Sequence, residues 1–172
     1  MLSQTAEYAL RAMAILAYSP DELVPTPKLA EETKVPSNYL AKVLQLLAGD
    51  GLIIGRRGVG GGYRLARPAG EISMLKVVNA VESVERICSC PLELPNHTGA
   101  LCPLHHKLDE AIAAVQKVFG DTSLQDLISD PESPRPLCNV DPFADMADVT
   151  ISAAAHANGN GTNHGNGVPP QA

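Results

Sequence analysis

Two short apolar-patterned segments flank Lys34-Val35-Pro36, and a run of glycines between two β-prone stretches follows at once; nothing else constrains this 172-residue chain as tightly. Before the turn, Pro25-Thr26-Pro27 predicts a helix start, with Thr26 as N-cap, Pro27 at the first helical position and Leu29, Ala30 and Thr33 following. After it, Ser37 stands as N-cap of SNYLAKVLQLLAGD, in which Leu40, Val43, Leu44 and Leu47 make one apolar face and Gly49 and Gly51 bracket the end. Two short helices joined by so tight a turn make a helix-turn-helix. Leu52 to Ile54 and Tyr63 to Leu65 are the β-prone runs, and GRRGVGGG between them reads as a hairpin whose glycines take backbone angles other residues avoid. A phosphate loop is the competing reading of such glycines. It fails because no Gly-Lys-Ser/Thr is present and the run joins strand to strand.

The rest of the chain is helical in pattern. Ala6, Leu10, Met13, Ile15 and Leu16 predict a helix from Ser3 to Tyr18, stopped at Pro20-Asp21. A further helix is predicted from Ser73 to Ser83, capped by Ser73, with Leu75, Val77, Val78 and Val81 inward. A long one opens at Cys102-Pro103, where Leu104, Leu108, Ile112, Val115 and Val118 or Phe119 form a stripe that packs either on its own domain or along a second subunit. Thr122 to Ile128 reads as one last short helix. Beyond Asp148 the chain carries no Lys, Arg, Asp or Glu and too little apolar surface to order itself, so 131–172 is expected to be a disordered tail. The expected fold is thus mainly α with a small β-hairpin: a winged helix-turn-helix domain over 1–70, then a cysteine-bearing loop and long dimerisation helix over 71–130. Aromatic residues make up only 3% against 45% hydrophobic, which points to an aliphatic core of packed helices and argues against an aromatic-lined cleft. Apolar runs fall short of a membrane span and the start lacks a signal-peptide pattern, so a cytoplasmic protein without membrane partners is expected. Four irregularly spaced cysteines suit reduced thiols or metal ligands better than a disulfide framework.

The formal charge of −6 argues against a nucleic-acid partner until it is divided. Met1 to Arg67 carries 8 Lys/Arg against 6 Asp/Glu, and the remainder 5 against 13. Within Lys34 to Arg67, six cations face Asp50 alone. That is a local basic footprint. The amino end of the second helix of a helix-turn-helix enters the major groove, and here it offers Ser37, Asn38 and Tyr39, with Lys42 one turn on and Lys28 on the preceding helix. Asn reads adenine bidentately, Ser and Tyr bond phosphate, and Lys adds charge; the plainer alternative is that Tyr39 packs and Ser37 only caps. Arg56 and Arg57, with Gly58 and Tyr63, make the hairpin a wing suited to a narrow minor groove. No catalytic triad or carboxylate pair is present, so no enzyme is expected; the competing classes are an iron–sulfur or redox carrier and a protein adaptor without DNA.

The run TPKLAEETKVPSNYLAKVLQLLAGDGLIIGRRGVGGGYRLARP, continuing through EISMLKVVNAVES into the long helix, resembles the winged-helix regulators that include IscR, NsrR and CymR, the BadM-type regulators. Arg57-Gly58 with Gly61-Gly62-Tyr63 and Leu65, and Tyr39-Leu40 with Leu44, carry the likeness, which spans roughly Met1 to Ile128. The resemblance implies a homodimer built on the long helix that binds a palindromic double-stranded DNA operator, and a repressor is the expected sense.

It also implies a use for the cysteines. Cluster-binding members carry three cysteines before the long helix, completed by His or a carboxylate. Eleven residues separate Cys90 from Cys102 as in the IscR pattern, and Cys102-Pro103-Leu104-His105 gives its ending, but Asn96 stands where the middle cysteine belongs and Cys88 is additional. The implied ligand set is Cys88, Cys90 and Cys102 with His105, or Cys90, Cys102 and His105 with an outside donor; Glu7 stands where NsrR-like members use an acidic residue of the partner subunit. Thiolate with imidazole suits an iron–sulfur cluster, 2Fe–2S or 4Fe–4S, or zinc. Direct thiol oxidation and ligand-free cysteines stay open beside them. The implied signals are redox state, nitric oxide and iron supply, and the cysteine-bearing loop within 71–130 is the implied sensor. His106 reads as a solvated helix residue and Cys138 as a free thiol.

Overall fold

A computed structural model describes residues 2–91 and 101–129. The chain divides into units 1–137 and 138–172, and every described residue belongs to the first. Asn96, Cys138 and the tail lie outside the described residues.

Helix α1 spans Gln4–Tyr18, and Ser3 caps it by accepting from the Ala6 amide at 3.1 Å. Its run of Ala9, Ala12, Met13, Leu16 and Ala17 is buried, so small residues let neighbouring helices approach closely. Helix α2 (Thr26–Thr33) and helix α3 (Ser37–Gly49) pack on it with Leu29, Leu40, Val43, Leu44 and Leu47 inward, the face the periodicity predicts. Neither predicted cap forms. Pro25 and Pro36 occupy the N-cap positions in extended conformation, so Thr26 and Ser37 are already helical and their side chains cap nothing. The turn between the helices works because Lys34 takes the left-handed conformation at φ 58°, and its amide still bonds the Ala30 carbonyl.

Strands β1 (Ile53–Arg56) and β2 (Gly62–Leu65) form an antiparallel hairpin with Ile53 opposite Leu65 and Arg56 opposite Gly62. Each strand is four residues long rather than the three predicted, and Leu52 is buried just ahead of β1. Val24 extends the ladder from the other edge, exchanging two 2.9 Å bonds with Tyr63. A side chain at Gly62 would lie 2.5 Å from the Val24 carbonyl oxygen, so only glycine lets this bridge close. The result is a winged helix.

After a single 3-10 turn at Ala69–Glu71, helix α4 covers only Met74–Asn79. Ser73 caps it as predicted, but the helix ends before Val81, and the chain continues to Pro91 without regular structure. Val77 and Val78 are buried as predicted, whereas Leu75 is half-buried. Helix α5 spans Pro103–Asp121 and helix α6 Leu124–Ser129. Val77 and Leu124 lie in the same core cluster as Met13, Leu16 and Leu44, so α4 and α6 complete the core that α1 begins. The stripe on α5 is different: this helix has no buried residue, and Leu104 and Val118 are 63% and 60% exposed. No helix among the described residues is long and apolar enough to cross a membrane.

Candidate nucleic-acid interface and metal centre

The first face of interest follows from how α3 is seated. Burying Leu40, Val43, Leu44 and Leu47 leaves Ser37, Asn38, Lys42 and Gln45 exposed, and Asn38, Lys42 and Gln45 share one side at i, i+4, i+7 spacing. Tyr39 is only partly available. Its ring meets Tyr8 edge-on at 5.6 Å between centroids, and its hydroxyl bonds the Thr5 hydroxyl at 2.6 Å. Tyr39 therefore packs on α1 while 39% of its surface stays exposed. Arg11 stands over the Tyr8 ring, pairs with Glu7, and donates to the Thr33 carbonyl at 3.2 Å, tying α1 to the helix-turn-helix corner. Glu7 is thus an exposed partner of Arg11 within the protomer.

The wing stands beside α3. Arg56 closes β1 opposite Gly62, so the loop proper runs from Arg57 through Gly58, Val59 and Gly60 to Gly61, with Gly58 and Gly60 at φ 96° and 71°. An open cleft of about 730 Å³ separates helix from wing and is lined by Gln45, Ala48, Arg56, Arg57, Gly58 and Tyr63, among others. Among the described residues Lys42, Arg56 and Arg57 make no ion pair, whereas Lys28 is paired with Glu32 at 3.7 Å. Three uncompensated cations therefore border the helix face and the cleft. Gln45 was absent from the sequence-based candidates, although its i+7 spacing from Asn38 is the signal that finds it.

The second site is assembled by α5. The segment after α4 is laid antiparallel along that helix by successive bonds: Gln116 Nε2 donates to the Val84 carbonyl at 2.6 Å, and Arg86 Nε and the Ile87 amide donate to Asp109 Oδ1 at 2.6 and 3.0 Å. The Arg86 guanidinium, bonded to Asp109, holds that carboxyl down at about 2. The next contacts down the helix are sulfur and imidazole. His105 Nδ1 lies 3.6 Å from Cys90 Sγ and 3.2 Å from Cys102 Sγ, and all three donor atoms fall within 4.8 Å of one another. Cys90 is buried, while Cys102, at the N-cap of α5 with Pro103 behind it, and His105 are half-buried. Cys88 is exposed and lies outside this group, its thiol turned to the Arg86 carbonyl at 3.8 Å. His106 is paired with Glu110 at 3.2 Å, on the solvent side.

Comparison with known proteins adds to this geometry. The model of the Rrf2 family, described as an iron-dependent transcriptional regulator, matches residues 2–130. The chain is 31% identical over 134 residues to the HTH-type transcriptional regulator NsrR of Oceanobacillus iheyensis, covering 76% of this chain and 91% of that protein. It is 29% identical over 132 residues to the HTH-type transcriptional regulator IscR of Xenorhabdus nematophila, covering 76% and 80%. The crystal structure of CymR from Staphylococcus aureus superposes with a TM-score of 0.61 at 28% identity, covering 76% of this chain and all of that one.

Proposed function

The chain belongs to the Rrf2 family of transcriptional regulators, and on that premise we propose that it is a homodimeric, cytoplasmic repressor that puts the amino end of α3 into the major groove of an operator half-site and the wing into the adjoining minor groove. It is a regulator and not an enzyme. The observation that supports the DNA reading is the exposed face of Asn38, Lys42 and Gln45 beside Arg56 and Arg57, none of the three cations being neutralised by a neighbour. Asn38 and Gln45 have the amide groups that read adenine edges, Ser37 and the Tyr39 hydroxyl reach phosphate, and Lys42, Arg56 and Arg57 supply charge. The exposed apolar stripe of α5 supports the dimer, and two-fold symmetry then demands a palindromic site.

Cys90, Cys102 and His105 are the residues that would hold a metal centre, and thiolate and imidazole are donor types that both iron–sulfur centres and zinc use. When bound, such a centre supplies a bond that fastens the 84–90 segment to the first turn of α5. Without it Cys90 would lose one fastening to the helix start, while the hold of Asp109 on Arg86 and Ile87 would remain. Redox state, nitric oxide or iron supply would act there.

The test is binding to a duplex selected from a random pool, measured by anisotropy against salt. With about six phosphate contacts the affinity falls roughly a thousandfold between 50 and 200 mM salt, and Arg57→Ala lowers the slope by about one. Salt-insensitive binding, or no selectable duplex, overturns the DNA reading.

A further inference from the structure

We infer that Cys90, Cys102 and His105 form a site for one divalent first-row ion, zinc or ferrous iron, and that the centre is mononuclear rather than an iron–sulfur cluster. The inference rests on the proposed metal-sensing role and names its occupant. A tetrahedral ion with metal–sulfur bonds of about 2.3 Å and a metal–nitrogen bond of about 2.1 Å sets its ligands apart by about 3.8 Å for two sulfurs and about 3.6 Å for sulfur and nitrogen. The two sulfur-to-nitrogen separations here are 3.2 and 3.6 Å, and no pair of donors exceeds 4.8 Å. The three atoms already lie close to three corners of one such tetrahedron.

A cluster asks for something else. In a 2Fe–2S cluster each iron takes two protein ligands, and in a 4Fe–4S cluster each takes one, so in neither do three donors converge on one point. Among the described residues no fourth donor joins the group, and Cys88 faces the Arg86 carbonyl instead. Spreading the donors to span a cluster requires moving either Cys90 or Cys102. Cys90 is 7% exposed, two residues beyond the exposed Cys88, in a segment pinned to Asp109; Cys102 is fixed at the N-cap of α5 by the bond from the His106 amide to its carbonyl at 2.9 Å. A tetrahedral ion takes a fourth donor beside these three, from the protein or from water.

The experiment loads the full chain anaerobically with Zn²⁺ or with Fe²⁺ and sulfide, removes excess by gel filtration, and assays metal and acid-labile sulfide per chain with X-ray absorption at the metal edge. One ion per chain, two sulfur and one nitrogen neighbours and no sulfide are expected. Cys102→Ser and His105→Ala, both at half-buried positions, are expected to lose the ion while keeping the helical circular dichroism, and Cys88→Ala to keep it. Sulfide in proportion to iron, a metal–metal distance in the absorption data, a chain that takes up neither ion, or loss of the ion in Cys88→Ala each overturns the inference. Salt-dependent DNA binding measured on the same samples separates the two readings: a metal-free chain that retains DNA sinks the ion alone, and a loaded chain without DNA affinity sinks the DNA reading alone.

Discussion

Arg86 and Asp109 meet fork to fork across the gap between the segment after α4 and the middle of α5, with Arg86 Nε 2.6 Å from Asp109 Oδ1 and the Ile87 amide donating to the same oxygen at 3.0 Å. Both donors come from the segment that ends in Cys90, so this one carboxylate fixes the height at which the Cys90 thiol faces His105. An arginine held at two points also fixes the orientation of the strand of chain that carries it.

The pH dependence of this clamp follows from its carboxylate. Asp109 titrates at about 2 in the folded chain, below the usual value of about 3.9. A group depressed in this way adds stability that is fully present above the ordinary carboxylate range and is lost as the pH falls from about 4 through about 2. Carbon NMR of Asp109 is expected to show the low midpoint in the parent chain and a return toward about 3.9 in Arg86→Ala. The Ile87 amide is expected to exchange faster in Asp109→Ala. An unmoved Asp109 titration in Arg86→Ala would mean that the ion pair does not organise the segment.

Two glycines make a contrast that tests the wing bridge. At Gly62 a methyl group would meet backbone, the Val24 carbonyl oxygen at 2.5 Å, and backbone cannot step aside as a side-chain tip can. Gly62→Ala is expected to cost about 1 to 3 kcal/mol, the usual range for forcing atoms into a packed site. Gly49, at the end of α3, has nothing within 4 Å and ordinary backbone angles, so Gly49→Ala is expected to be neutral or to stabilise by about 0.4 to 1 kcal/mol. Urea unfolding of the two variants side by side checks the order, and equal effects would falsify it.

How much of this was readable in advance depends on range along the chain. The faces of α1 and α3 were legible because burial repeats every three or four residues, and Ser3 and Ser73 signalled their caps locally. Thr26 and Ser37 misled because each follows a proline that already holds the extended N-cap geometry. The separation of Cys88 from Cys90 was illegible: it depends on Asp109 and Gln116, over twenty residues downstream, which set where the segment lies on α5. Tyr39 is a similar case, since its partners Thr5 and Tyr8 reach it from α1 through tertiary packing.

Side chains that read bases and side chains that hold phosphates should separate by experiment. Asn38→Ala and Gln45→Ala are expected to cost about 1 to 3 kcal/mol on the selected duplex and to relax preference at one base pair each, because each removes a bidentate amide. Lys42→Ala is expected to weaken selected and random duplexes alike and to lower the salt slope by about one. Competition anisotropy with single-base variants of the duplex makes the distinction. Uniform weakening in Gln45→Ala would remove it from the reading face and leave the cleft beside Arg56 and Arg57 a contact with the backbone only.

The α5 stripe is the surface on which the proposed dimer rests. Leu104, Leu108, Val115 and Val118 are exposed in the protomer, and on the neighbouring side Leu108, Ala111, Ile112, Val115 and Phe119 border a hollow shared with Leu2, Val84 and Ile87. A helix of nineteen residues with no fully buried side chain gains less from tertiary packing than α1 or α3, and such packing is the usual source of helix stability. In the proposed dimer a symmetric partner would cover both surfaces, and each leucine so buried would contribute about 1.5 to 3 kcal/mol in each copy. Leu108→Asp is expected to shift sedimentation from dimer to monomer at micromolar concentration, whereas Lys107→Asp, one residue away on an exposed and already charged position, leaves the dimer intact. The core of α1, α3 and α4 does not include Leu108, so the monomer is expected to keep its helical signal and bind a half-site weakly. If Leu108→Asp stays dimeric, the stripe is not the seam, and the two-fold operator loses its structural basis.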